Sequence, residues 1–376
     1  MVASGRLPKL DISPGESRVL TISEPRFEPR AGVDYRLEVS FRLAADTLWA
    51  DKGHEVAWEQ FELGSVGVGA FLDPAGMSPL NHVQDGDSYE VSGEGFSVRF
   101  DLGTGHLTSY VVEGTDLIAS GPSPNFWRAP TDNDRGNEMP ERCAPWKAAS
   151  RNWVVKSAVA DRVGPSEVEV RFTGEFRDVV STNEITYTVF GNGEIAVDVS
   201  FTPGDGELPE LPRFGMQMEV PGGFETMTWY GRGPHESYWD RKDGARVGVW
   251  SGSVDDQFVD YSEPQENGNK TDVRWMSLTN DEGMGLLVIG EPLVAFSAHH
   301  YTTADLEDAK YSWQMERREN ITLSVDMQQT GVGGDDSWGA RTHDKYTVWP
   351  EPLQYSFRLR GLRSGDEPAE LARVKR

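Results

Sequence analysis

Apolar and polar residues alternate over many short stretches of this chain, the pattern of strands that bury one face. The alternation is clear at residues 168–176 (VEVRFTGEF), 184–190 and 194–201 (EIAVDVSF). The sequence Gly191-Asn192-Gly193 separates the last two segments, so we predict a hairpin closed by a tight primed turn with positive φ at Asn and Gly. Apolar spacing typical of helices is scarce, and this absence favours an all-β fold.

Two further segments support the same prediction. Residues 96–118 predict a strand, a turn and a second strand, with Gly103 and Gly105 in the bend. Residues 285–289 (GLLVI) predict a short strand that is buried on both faces. Short strands at such intervals are typical of a β-sandwich or a larger β assembly.

Turn-rich and charged stretches predict how the chain is divided. Residues 17–22 and 35–43 are the clearest strands near the start, whereas a Gly-, Asp- and Pro-rich stretch without periodicity follows. No second break is evident after it, and the last residues are charged. The predicted parts are a small strand-rich unit at 1–63, a linker at 64–87, one large β domain at 88–365 and a frayed tail at 366–376.

Composition excludes several functions. The 376 residues include 61 acidic and 36 basic side chains, a formal net charge of −25. Nucleic-acid binding depends on Lys and Arg that neutralise phosphates, so the excess of acidic residues argues against it. A high net charge of this kind commonly keeps a protein soluble, which is explanation enough here. The single Cys143 excludes an internal disulfide, which is consistent with a cytoplasmic protein. We expect no membrane contact, since no apolar run approaches the ~20 residues of a spanning helix and residues 1–10 lack a signal core.

General motifs for catalysis and metal binding are missing from the sequence. It contains no nucleophile elbow, phosphate-binding loop, H-E-x-x-H helix or cysteine cluster. His299 and His300 are adjacent, and neighbours on a strand face opposite sides, which argues against a shared metal. Asp132-Asn133-Asp134 offers the oxygens that Ca²⁺ prefers but lacks the spacing of an EF-hand loop, and turns or caps explain it equally well.

Four longer segments are dense in Gly, Pro, aromatic and charged residues and are too polar for core strands. Loops of this composition are costly to keep unless contacts order them, so they are the natural place for a site. The chain also has twelve Trp, whose flat apolar face and N–H donor suit a sugar, although most Trp in a β protein fill the core. The four segments are PNFWRAPTDNDRG (124–136), WYGRGPHESYWDR (229–241), YSEPQENGNKTDVRW (261–275) and TGVGGDDSWG (330–339).

In this order along the chain, the four segments resemble the diagnostic blocks of the C-terminal domain of β-galactosidases in glycoside hydrolase family 2. Residues 46–63 (DTLWADKGHEVAWEQFEL) similarly resemble the end of that family's fourth, immunoglobulin-like domain. The resemblance covers nearly the whole chain. It implies a small immunoglobulin-like β-sandwich remnant, followed by a large β-supersandwich related in fold to galactose mutarotases.

The family hydrolyses terminal β-D-galactosides such as lactose with retention, using one Glu as acid/base and another as nucleophile on a TIM barrel. The resemblance places that barrel, and most metal ions of the parent enzyme, outside this chain. We therefore expect no catalytic residue and no cofactor in this chain, which alone would be inactive. Glu236, Glu263 and Glu266 lie in matching motifs but not at the family's catalytic positions, so we expect them to serve loop structure and interdomain contact.

The expected partners are a β-galactoside and the barrel-bearing portion of the same enzyme or a large subunit. Members of the family are often oligomeric, yet no self-complementary surface can be seen in the sequence, so a homo-oligomer stays open. Whether the chain is a fragment or a natural small subunit stays open too.

Trp338 matches the family's Trp that stacks on the leaving-group sugar. A flat indole holds a sugar face without fixing every hydroxyl, which suits a loosely selective aglycone subsite. The resemblance implies that Asp335 and Asp336 support this Trp by hydrogen-bonding the turn, while Gly333 and Gly334 let the backbone bend.

The segment that begins at Gly136 resembles a mobile flap beside the family's substrate site. Glu138 is the candidate flap carboxylate, although the spacing after Gly136 is one residue shorter here. Asp132, Asn133 and Asp134 lead into the flap and are expected near the site.

Two other functions stay open. A stand-alone carbohydrate-binding module would bind galactosides without a partner chain. An aldose 1-epimerase (a mutarotase-like enzyme) would need a His and a Glu facing one sugar. His235, His299 and His300 with Glu266 are the only candidates, and no spacing singles out a pair.

Overall fold

A computed structural model describes residues 2–23, 27–65, 69–336 and 339–376. These residues form nineteen strands, while their five α-helices have six residues or fewer. The predicted all-β class is therefore confirmed. The chain forms two compact units, residues up to Leu72 with Arg373–Arg376, and Asp73–Ala372.

In the described part of the first unit there is one antiparallel strand pair, β1 (Asp34–Arg42) with β2 (Glu55–Ser65). The strand predicted at 35–43 is confirmed. The strand predicted at 17–22 is wrong: these residues form no ladder and are mostly exposed, so their alternation serves no buried face. The immunoglobulin-like character of this unit stays a prediction.

The second unit contains a five-stranded antiparallel sheet, with its strands in chain order. Its strands are β3 (Asn81–Asp85), β4 (Ser88–Gly93), β5 (Phe96–Asp101), β6 (His106–Val112) and β7 (Thr115–Asp116). The predicted strand–turn–strand at 96–118 corresponds to β5 and β6, with Gly105 at φ 75° in the bend. Strand β3 lies inside the interval 64–87 that its composition predicts as a linker. All five of its residues are exposed, so no buried face marks it in the sequence.

A twelve-stranded sheet makes up most of the second unit, and its main order is β15-β14-β16-β17-β19-β12-β11-β10-β9. Strands β18, β13 and β8 continue from β17 as a second branch, and β17 pairs with β19 over its first half and with β18 over its second. The expected large supersandwich is confirmed. Its strands are β8 (Ser120–Asn125), β9 (Trp153–Gly164), β10 (Glu167–Phe176), β11 (Ser181–Phe190), β12 (Ile195–Thr202), β13 (Arg213–Val220), β14 (Thr226–Gly233), β15 (Arg246–Ser253), β16 (Lys270–Thr279), β17 (Gly285–His299), β18 (Ile321–Gln329) and β19 (Leu353–Leu362).

Short helices interrupt the strands at three places. Three of them lie between β8 and β9, one lies between β17 and β18, and one follows β19. They are α1 (Asp132–Gly136), α2 (Met139–Arg142), α3 (Ala144–Ala149), α4 (Thr303–Asp308) and α5 (Pro368–Leu371). Helix α5 lies in the segment 366–376 that its charge predicts as a frayed tail. The segment also contains apolar side chains among the charged ones. Three of them pack against a buried cluster around Trp275: Ala369, Leu371 and Ala372.

The hairpin predicted at residues 184–201 is confirmed, since β11 and β12 pair antiparallel with Ile195 opposite Val189. The prediction of a tight primed turn is wrong. Gly193 has φ +84°, whereas Asn192 does not have positive φ. The Asn192 side-chain oxygen instead accepts from the Glu194 N–H at 3.0 Å, which builds a longer turn.

Tyr110 on β6 links the two sheets of the second unit. Its ring is fully buried, and its hydroxyl donates to the Gly193 carbonyl and accepts from the Gly361 N–H, both at 2.7 Å. Burial raises the pKa of the Tyr110 hydroxyl, so the group keeps the proton it donates. The five-stranded sheet is thereby fixed to the β11–β12 turn and to β19.

We expect Tyr110→Phe to lower the free energy of unfolding by about 1–3 kcal/mol, because a buried carbonyl and a part-buried N–H each lose their partner. Urea unfolding measures the change. The control is Tyr89→Phe, whose hydroxyl contacts the partly exposed His82 ring at 3.0 Å, and which should cost less than about 1 kcal/mol. Equal losses in the two variants would contradict the role of Tyr110.

Candidate functional site

The segments 124–136 and 330–339 meet at the guanidinium of Arg128, which is 1% exposed. Its Nε and Nη2 donate to the two carboxylate oxygens of Asp134 at 3.0 and 2.8 Å. It also donates to the carbonyls of Thr330 and Gly331, the latter at 3.2 Å. A planar fork with five donors can serve both sides at once, so one buried side chain fixes two segments 200 residues apart.

Of the three residues predicted to lead into a flap, Asp134 points inward. It forms a capping box with Thr131: the Thr131 hydroxyl accepts from the Asp134 N–H at 3.1 Å, and Asp134 accepts from the Thr131 N–H at 2.9 Å. Asn133 donates its side-chain N–H to the Val332 carbonyl at 2.8 Å, and this contact also ties α1 to the 330–339 loop. Asp132 is exposed and bonds Gln265 through its backbone N–H at 3.1 Å.

The segment predicted as a flap is helical, since α1 ends at Gly136 and α2 begins at Met139. Gly136 is exposed. Glu138 stands between the two helices at φ 61° and ψ 29°, in the left-handed region that costs a side chain about 1–2 kcal/mol. Its carboxylate is exposed, and its role as a substrate ligand stays a prediction.

Asp240 anchors the start of the 330–339 loop. One carboxylate oxygen accepts from the Val332 N–H at 3.1 Å and the other from the Gly333 N–H at 2.7 Å. The loop also approaches so closely that a Cβ at Gly331 would lie 2.5 Å from the Thr342 hydroxyl. Sequence reasoning missed Asp240, and its only signal is its place in the polar segment 229–241.

Asp335 and Asp336 bond across the same loop. Asp336 accepts from the Ala340 N–H at 3.1 Å, and Asp335 lies 2.9 Å from the His343 ring nitrogen Nε2. Ser337 and Trp338 lie outside the described residues, so the role of these two carboxylates in holding the indole stays a prediction.

The segments 229–241 and 261–275 are joined through Glu236 and Ser237. Glu236 accepts from the Gly268 N–H at 2.8 Å and from the Tyr261 hydroxyl. The Ser237 N–H donates to the Asn269 carbonyl at 2.7 Å, and the Asn269 side-chain N–H donates to the Ser237 carbonyl at 2.8 Å. The described residues of all four polar segments therefore make hydrogen bonds with one another or with their neighbours in the chain.

A buried ionic network lies beneath these loops. Arg213 contacts Glu266 at 3.0 Å and Asp326 at 3.2 Å, and all three side chains are at most 6% exposed. Burial raises the pKa of Asp326 to about 7, although Arg213 opposes the shift. Gln329 donates to Glu266 at 3.1 Å, so Glu266 is used in structure.

The candidate epimerase residues do not form a His–Glu pair at an open surface. His299 is buried and bonds the Asn267 carbonyl at 2.9 Å, and His300 bonds Glu225 at 2.8 Å. His235 is exposed, whereas Glu266 is held in the buried network. This placement argues against sugar ring opening by these groups.

Within the described ranges, no group of three or more His, Cys, Asp and Glu side chains has an arrangement that would hold a metal. The same residues contain no helix that is long and apolar enough to cross a membrane.

The family model for the β-galactosidase small chain matches residues 92–359, which is more than two thirds of the chain. The chain belongs to the β-galactosidase small-chain family. A second model, for β-galactosidase domain 4, matches residues 1–64.

Curated relatives carry the same name. A β-galactosidase of Priestia megaterium is 40% identical over 342 residues, which cover 90% of this chain and 33% of that protein. A β-galactosidase of Halalkalibacterium halodurans is 36% identical, covering 84% of this chain and 31% of that protein. The chain thus spans about a third of the length of these relatives.

Among solved structures, a galactose 1-epimerase from Lactobacillus acidophilus aligns with a TM-score of 0.44 and 8% identity, covering 75% of this chain and 98% of that one. Similarity at this level carries no argument about activity.

In this small-chain domain, we expect Asp240→Ala to speed amide hydrogen exchange in the 331–334 backbone by at least about tenfold, because two charge-assisted bonds are lost. Exchange followed by mass spectrometry measures the change. Asp243→Ala is the control, since Asp243 is a nearby exposed carboxylate. Unaltered exchange in Asp240→Ala would show that the loop is held by other contacts.

Proposed function

We propose that this chain is the C-terminal portion or small subunit of a retaining β-galactosidase. The observation that carries the proposal is the small-chain family match over residues 92–359, in a chain a third as long as relatives named β-galactosidase. The complete enzyme would belong to glycoside hydrolase family 2 and hydrolyse terminal β-D-galactosides such as lactose.

In this proposal the chain supplies the rim and the aglycone subsite, and the catalytic Glu pair lies on the rest of the enzyme. The geometry of the 330–339 loop supports this division. The first residues of the loop are bound by Arg128, Asn133 and Asp240. On the other side of position 338, the Ala340 N–H donates to Asp336. A loop held on both sides of position 338 would present the indole to a sugar at little entropic cost.

Trp338 would hold the leaving-group sugar by apolar contact with its face. Asp335, Asp336 and Glu138 would support or line that subsite. The proposal assigns no cofactor to this chain, and it places the metal ions of the complete enzyme mainly with the barrel. A cytoplasmic location completes it and is supported by the free, buried thiol of Cys143.

The purified chain should not hydrolyse a nitrophenyl β-galactoside alone, because no general acid and nucleophile pair is expected in it. Mixing it with the remaining two thirds of a relative such as the Priestia megaterium enzyme should restore turnover. The control mixture contains that remaining portion without this chain. Turnover by this chain alone, or no turnover in the mixture together with no association, would contradict the proposal.

In the reconstituted enzyme, Trp338→Ala should raise KM for lactose by about tenfold and reduce transfer to glucose, since the stacking contact contributes roughly 1–2 kcal/mol. Hydrolysis of nitrophenyl galactoside should change less. Trp313→Ala is the matched control, because Trp313 is 78% exposed elsewhere on the domain. Unchanged lactose and transfer kinetics in Trp338→Ala would remove the stacking role.

A further inference from the structure

A pocket of about 90 Å³, lined by both polar and apolar residues, lies between the α1–α2 segment and the residues that follow the 330–339 loop. Its inner wall includes the side chains of Arg128, Asp134, Arg142 and Glu210. Thr330 and Gly331 also line it, so the pocket is next to the loop described above. The proposed function does not use this cavity.

The charged groups of the inner wall are already paired. Arg128 contacts Asp134 at 2.8 Å, and Arg142 contacts Glu210 at 2.6 Å. The side chains of Asp134 and Glu210 are 5% and 9% exposed. A wall of two balanced ion pairs presents polar atoms without net charge, which disfavours a phosphate or carboxylate ligand.

The outer rim carries two exposed charged side chains. Arg341 and Asp344 line the pocket and are exposed, and within the described residues neither side chain forms a hydrogen bond or an ion pair. Trp349 also lines the pocket, and 45% of its surface is exposed. The rim therefore combines the exposed guanidinium of Arg341, which interacts electrostatically with Glu210, the exposed carboxylate of Asp344 and a partly open indole.

This combination matches the chemistry of a neutral sugar. Hydroxyls both donate and accept, so they can use Arg341 and Asp344 together, and the C–H face of a pyranose can cover an indole. Sites that enclose a whole ligand have about 300–1,000 Å³. A pocket of 90 Å³ therefore admits the hydroxyl-bearing edge of one ring, with the rest of that ring over Trp349.

We propose that this pocket is a second saccharide subsite, which binds one neutral hexose unit through Arg341, Asp344 and Trp349. The inference rests on the proposed function for its biological ligand, a sugar unit of a galactoside longer than lactose. Binding itself requires only residues of this chain.

The test titrates the purified full chain with galactotriose. Isothermal titration calorimetry measures the affinity, and saturation-transfer NMR detects contact with the sugar protons. We expect Trp349→Ala to weaken binding at least about fivefold and Arg341→Ala to weaken it measurably, because each removes one side of the rim. Trp313→Ala is the matched control and should bind like the wild type. Since Arg341 is exposed, its replacement keeps the test valid even where Trp349→Ala fails to fold.

Three outcomes would overturn the proposal. They are no galactotriose binding by the wild-type chain, wild-type affinity in both folded variants Trp349→Ala and Arg341→Ala, and loss of galactotriose binding in Trp313→Ala alone. Displacement of the sugar by inorganic sulfate at constant ionic strength would overturn its neutral chemistry. Failure of reconstitution with intact galactotriose binding would contradict the proposed function and leave this subsite standing.

Discussion

The buried guanidinium of Arg128 is the contact on which the candidate site depends. It satisfies the Asp134 carboxylate and two carbonyls of the 330–339 loop at once, and only 1% of its surface is exposed. A buried charge is tolerated only when it is paired and hydrogen-bonded. The Asp134 carboxylate and the loop carbonyls that pair the buried guanidinium therefore also fix the position of the loop relative to helix α1.

The remaining contacts extend this arrangement. Asp240 holds the first loop amides, and Glu236 and Ser237 secure the segment around Gly268 and Asn269. The result is a set of polar loops that hydrogen bonds join on an all-β scaffold, and loops positioned by such a scaffold are a common place for binding groups. The small-chain family match and relatives about three times as long support the proposal that this chain completes a site on the rest of the enzyme.

The strands with a buried face could be predicted from sequence, because alternation records burial directly. Strand β3 and residues 17–22 could not, since an exposed strand and an exposed coil have the same polar composition. The four polar segments were evident from composition. Their mutual contacts were not, because nothing local indicates that Arg128 meets Gly331 or that Asp240 binds the Gly333 amide. Those pairings arise from the sheet order, which brings distant loops together.

The Arg128 fork joins the two segments, and Arg128→Lys tests this contact most directly because it keeps the charge and removes the fork. The free energy of unfolding should fall by roughly 2–4 kcal/mol. Arg135→Lys, at a partly exposed ion pair with Glu263 at 3.2 Å, should lose less than about 1 kcal/mol. A loss at Arg128 no larger than that at Arg135 would contradict the account.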